Sequence, residues 1–83
     1  MKIAHALELD CRGLYCPLPV LRTEKALAGL ASGQVLKVVA TDPAVVIDMA
    51  VFSDRSGHEI VRQVEEKGEF VFWLRKAAAE LEE

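Results

Sequence analysis

With 83 residues, 52% of them apolar and 28% charged, the chain suits one domain with one modest core and is too apolar to stay disordered. No apolar run approaches the ~20 residues of a membrane span, and Met1 to Asp10 lacks the basic start and long apolar core of a secretion signal, so the expected location is the cytoplasm, with no membrane partner. A net charge of −3 excludes an overall basic footprint for nucleic acid, although Arg12, Arg22 and Lys25 can form a local patch.

The chain opens on an alternating stretch, Ala4 to Asp10. Leu7 and Leu9 point one way and Glu8 and Asp10 the other, the pattern of a half-buried strand. Cys11 to Tyr15 is the loop that follows, in which Gly13 can take a positive φ and turn the chain sharply. Next comes Cys16-Pro17-Leu18-Pro19, the centre of the sequence. Proline is best tolerated in the first helical turn, where its missing N–H has no partner to lose. Pro17 at the first helical position and Pro19 two places later therefore fix the start of a helix whose body is Val20 to Ala31. Cys16 falls at its N-cap or just outside, where the positive end of the helix dipole favours a thiolate, with Arg12 and Arg22 as further sources of positive charge. A cysteine before a helix is also, more blandly, a small buried apolar residue. Two rigid prolines beside a single side chain favour the functional reading.

On the helical wheel Val20, Thr23, Leu27 and Leu30 share one face and Arg22, Lys25 and Gly29 the opposite one. Leu18 projects toward the charged side beside the thiol, as a scattered surface residue or as a docking anchor. Ser32-Gly33 is read as the helix end, with Gly33 as the left-handed cap. Val35 to Thr41 is β-branched and apolar, a central strand parallel to the first because a helix crosses between them. Asp42-Pro43 reads as N-cap and first helical residue of a second helix, Pro43 to about Ser53. That helix is apolar nearly all round: Asp48 is the single charge from Ala44 to Phe52, which points to a partner or weak self-association surface. A turn at Asp54 to Gly57, a partly exposed strand from His58 to Glu66, a hairpin turn at Lys67-Gly68 and a strong strand from Glu69 to Lys76 complete the pattern. On that last strand Phe70, Phe72 and Leu74 form one face and Val71, Trp73 and Arg75 the other, with Trp73 a candidate contact. The reading is a single domain over 1–76 with a tail over 77–83. Its fold class is α/β, a two-layer α/β sandwich of order βαβαββ with a four-stranded mixed sheet and two helices on one face. Cys16 lies at the carboxyl end of the first strand, the edge where open α/β sheets place chemistry.

Two cysteines do not make a disulfide framework, and Cys11, Cys16, His5 and His58 lack the spacing of a zinc site, so no metal is expected. Leu9-Asp10-x-x-Gly13-Leu14-x-Cys16-Pro17-x-Pro19 resembles the signature of the bacterial sulfur-carrier family of the TusA/SirA type. Asp42-Pro43 through Asp48, Phe52 and Gly57-His58 is similar to the same family's second helix, and Arg75-Lys76 also fits. The resemblance implies a βαβαββ sandwich in which Cys16 accepts sulfane sulfur as a persulfide, without a cofactor, supported by Pro17, Pro19, Gly13 and Asp10. It implies a cysteine desulfurase or rhodanese-like donor and an acceptor protein in tRNA thiolation, cofactor assembly or sulfur oxidation. Leu18, Arg22, Lys25, Asp42 and Ile47 are the docking candidates, and no direct nucleic-acid contact is expected. Ile47, Ala50 and Ser53 stand where family members often carry a basic residue, Pro and Cys, a departure that bears on the choice of donor and acceptor. A persulfide carrier must keep a second thiol out of reach, so Cys11 is expected to point away, buried against the end of the first strand. The alternatives are a dithiol redox protein using Cys11 and Cys16, and a non-covalent protein-binding module built on the second helix.

Overall fold

The computed structural model describes residues 4–78. Its elements are β1 (Leu7–Cys11), α1 (Leu18–Ala28), β2 (Val35–Ala40), α2 (Val45–Ser56), β3 (Glu59–Glu66) and β4 (Glu69–Arg75). They form one four-stranded sheet of order β1-β2-β4-β3, with β1 and β2 parallel and the other pairs antiparallel. The two helices pack on one face and on each other, which is the expected two-layer βαβαββ sandwich.

The alternation of the strands sets the core. Leu36, Val38 and Ala40 of β2 and Phe70, Phe72 and Leu74 of β4 point to the helices and are buried. They meet Leu27 from α1 and Val45 and Met49 from α2, and Cys11 closes the cluster at the end of β1. Each large apolar side chain taken fully out of water contributes about 1.5–3 kcal/mol. On the open face, Trp73 is half-buried and flanked by its cross-strand neighbours Lys37 and Arg62, whose cationic groups lie 5.5 and 5.6 Å from the ring centre. Charged side chains thus cover part of the indole. The tail, apart from Ala77 and Ala78, lies outside the described residues.

Several boundaries differ from the sequence reading. The first strand begins at Leu7 rather than Ala4. α1 starts at Leu18, so Pro17 is the N-cap residue, and Pro19 sits buried inside the first turn. The helix also stops sooner. Gly29 caps it with a right-handed φ of −90°, and the N–H groups of Gly29 and Leu30 bond back three residues to Ala26 and Leu27, tightening the last turn. The Lys76 ammonium reaches the Leu27 carbonyl at 2.6 Å and satisfies one of the orphan acceptors there. Gly33, expected as the cap, instead supplies positive φ to the turn from Ala31 to Gln34. α2 begins two residues after Pro43 and continues through Ser56, where Gly57 in the left-handed conformation ends it, so the expected turn at Asp54 to Gly57 is mostly helix. Lys67 and Gly68 both have positive φ, which gives the β3–β4 hairpin a two-residue type I′ turn. β3 carries a bulge between Ile60 and Arg62.

Candidate functional site

The parallel pairing of β1 with β2 brings Cys11 beside Ala40. The two chains therefore leave the sheet together, and the residues after β2 meet the loop after β1. Two side chains use that meeting. Thr41 Oγ1 accepts the N–H of Gly13 at 2.9 Å, and Asp42 Oδ2 accepts the N–H of Cys16 at 2.8 Å. Asp42 Oδ1 takes the N–H of Ala44 at 3.1 Å, and the Asp42 carbonyl takes that of Val45 at 3.0 Å. One aspartate thus starts α2 and fixes the backbone of Cys16. Within the loop, Asp10 Oδ1 accepts the N–H of Arg12 at 3.0 Å, and Gly13 takes a φ of +79°, a conformation that favours glycine. The Cys16–Pro17 peptide is cis.

The two thiols have opposite surroundings. Cys16 is free and exposed in the loop. Cys11 is free and fully buried in the core, as expected for a thiol that must stay clear of a persulfide. Burial is the main cause that pushes the Cys11 thiol above its ordinary value, with the Arg22 guanidinium opposing it and Asp10 adding to it.

Cys16 corrects the electrostatic expectation. Its thiol is raised, not lowered. The first cause is the neighbouring Asp48 carboxylate; desolvation follows, then the negative charges of Asp48 and Asp42. The expected cations are engaged elsewhere. Arg12 pairs with Glu69, Nε to Oε2 at 2.8 Å, and with Asp10 at 3.4 Å. Arg22 acts on Cys11, and with Lys25 it flanks a cleft beside Leu9 and Ala26 on the β1 side of α1. A carboxylate beside a thiol disfavours the thiolate, since two negative charges would then face each other.

The structure therefore brings together Cys16, Pro17, Leu18, Gly13, Asp42 and a residue the sequence reading did not name among the site residues, Asp48. Its signal was present: it is the one charge in the apolar run of α2. Arg22 and Lys25 do not join the group. Of the apolar docking candidates, Leu18 is exposed and Ile47, the neighbour of Asp48, is 71% exposed. Tyr15 is 73% exposed, and Leu21 and Val51 also show large apolar surface. Among the described residues no helix is long and apolar enough to cross a membrane, and no cluster of three or more His, Cys, Asp or Glu side chains could hold a metal ion.

Residues 7–76 match the family model described as sulfurtransferase TusA. A sulfur carrier protein TusA of Allochromatium vinosum is 49% identical over 70 residues, covering 84% of this chain and 92% of that protein. A protein of the same name from Pseudomonas entomophila is 45% identical over 76 residues, covering 92% and 95%. The crystal structure of a SirA-like protein from Desulfitobacterium hafniense superposes with a TM-score of 0.76, covering 87% of this chain and 99% of that one; at 23% identity it supports the fold alone.

Proposed function

This chain belongs to the TusA sulfurtransferase family, and on that premise we propose that it is a sulfur carrier that holds sulfane sulfur as a persulfide on Cys16. The observation that carries the reading is the contrast between an exposed, proline-flanked Cys16 and a Cys11 sealed in the core. In the proposed step the Cys16 sulfur attacks the outer sulfur of a donor persulfide. A new S–S bond forms at Cys16 as the donor's S–S bond breaks. The donor leaves as a thiolate and takes up the proton that Cys16 gave away, so there is no net oxidation. Transfer to the acceptor repeats the step with the roles exchanged. A second thiol within reach would discharge the product as sulfide, and the burial of Cys11 counts against that loss and against a dithiol redox role.

The donor class is a cysteine desulfurase or a rhodanese-like protein, the acceptor belongs to a sulfur-relay pathway, and the proposed compartment is the cytoplasm. Leu18, two residues after Cys16, and Ile47, beside Asp48 on α2, supply exposed apolar surface on which either partner would dock. Incubation with a cysteine desulfurase and cysteine, followed by mass spectrometry under non-reducing conditions, tests the reading. One added sulfur on the Cys16 peptide is expected, absent in Cys16→Ser and largely retained in Cys11→Ser. Equal loss in both variants would overturn it.

A further inference from the structure

We propose that the open face of the sheet is a docking surface for a second copy of this chain, paired about a twofold axis that runs along the strands and turns each cross-strand row end for end onto itself.

The strand register defines those rows. Side chains alternate along a strand, so Lys37 and Val39 of β2 face away from the helices that Leu36, Val38 and Ala40 meet. Their cross-strand neighbours share that face. One row reads Glu8, Lys37, Trp73, Arg62 across β1, β2, β4 and β3, and the next reads Asp10, Val39, Val71, Val64. Both helices pack on the opposite side of the sheet, and Val64, Val71 and Trp73 each still show part of their surface.

The first row is its own complement. Turned end for end, it sets Glu8 against the second copy's Arg62 on both flanks. In the middle Lys37 crosses the second copy's Trp73, and a cation over an indole face is favourable; Lys37 and Arg62 already lie 5.5 and 5.6 Å from the ring centre within one copy. The second row, reversed, lays Val39 on Val71, two apolar side chains, with Asp10 at the rim beside its own Arg12 at 3.4 Å. A self-complementary patch of this kind is what a closed twofold pair requires. Facing sheets pack about 10 Å apart with their strands within about 30° of one another, which an axis along the strands allows. Four strands at about 4.8 Å spacing and about 20 Å of length give a footprint of about 400 Å². That is half the ~800 Å² per partner of a stable complex, so the dimer is weak and reversible. The face lies away from both helices, so Cys16, in the loop that leads into α1, stays clear of it. The dimer does not rest on the carrier reading.

The test is sedimentation equilibrium of the full chain at low salt, over a concentration series up to about 1 mM, the range in which weak association registers. The fluorescence of Trp73, the single tryptophan, is followed in parallel. A reversible monomer–dimer equilibrium is expected, with Trp73 emission moving to the blue and less open to acrylamide quenching as the dimer fills. Arg62→Glu and Glu8→Arg should each weaken association at least about tenfold, because like charges then face each other. The double variant should return to within about threefold of wild type. Within one copy Glu8 and Arg62 stand on opposite edges of the sheet, three strand spacings or about 14 Å apart. Rescue therefore requires a second copy turned as proposed. Ile47→Ser, on the exposed surface of α2, should leave the equilibrium unchanged. A monomer throughout the series, a dimer indifferent to the charge swap, or one lost with Ile47→Ser would overturn the proposal. So would a monomeric mass with Trp73 already shielded at the lowest concentration, which would put the cover within the chain itself.

Discussion

Cys11 and Cys16 lie five positions apart, and both thiols are harder to ionise than a free cysteine, yet the causes differ. At Cys11 the cause is the absence of water: the side chain is part of the core, packed with the strands and helices around it. At Cys16 the first cause is a neighbouring carboxylate, with the sulfur exposed to solvent. The first condition can be relieved only by opening the fold. The second can be relieved by moving one side chain or by neutralising it. A thiol raised above its ordinary value is thus inert in one region and addressable in the other.

The contrast can be broken most directly by accessibility. In the native protein, alkylation of Cys16 should outpace that of Cys11 by at least about 100-fold, because a buried group reacts only through opening of the structure. Peptide mapping after a timed iodoacetamide pulse measures both rates at once, and comparable labelling would erase the distinction. A second experiment exchanges function for stability. Cys11→Ser places a hydroxyl among apolar side chains and should cost about 1–3 kcal/mol in a urea melt. Cys16→Ser, in an exposed loop, should stay within about 0.5 kcal/mol of wild type. The ranking of the two variants in sulfur loading is the reverse. The smallest effect tests the far end of the domain as a control. His58 Nδ1 accepts the N–H of Ala77 at 2.9 Å and must be unprotonated to do so. Its pKa is lowered, first by burial and then by Lys76, with Glu24 opposing. The unfolded chain therefore takes up a proton before the folded one does. Stability should be level above the ordinary histidine range and fall modestly as pH drops through it toward the lowered folded value. Urea midpoints across that range check this, and His58→Gln should flatten the histidine contribution without altering the alkylation profile of Cys16.

The architecture was legible because it follows from patterns that tertiary contacts only reinforce. Alternation in Glu69 to Lys76 separated Phe70, Phe72 and Leu74 from Trp73, and the buried set is the one those residues form. The Cys-Pro-Leu-Pro stretch placed the thiol before a helix, and the structure agrees. Helix ends were read less well. Pro17 is an N-cap rather than the first helical residue, and Gly29 ends α1 before Gly33 is reached, because local bonds such as those of Leu30 and Lys76 settle where a helix frays. The electrostatics of the site were not legible. Arg12 looked like a neighbour of the thiol in sequence, but its partner is Glu69, on the strand at the other end of the chain. Long side chains choose partners across the fold, and the charge beside Cys16 comes from α2, a helix whose face toward the loop is fixed only once β1 and β2 are paired.

The margins of the sheet carry a consequence of their own. β3, the outer strand on one side, is interrupted by its bulge and studded with Glu59, Arg62, Gln63, Glu65 and Glu66; β1, on the other, spans five residues and bears Glu8 and Asp10. Kinked, short and ionic borders are poor templates for another strand to zip onto. The molecule can therefore expose greasy patches on its helical side, where brief encounters occur, while its backbone offers little foothold for runaway fibril growth.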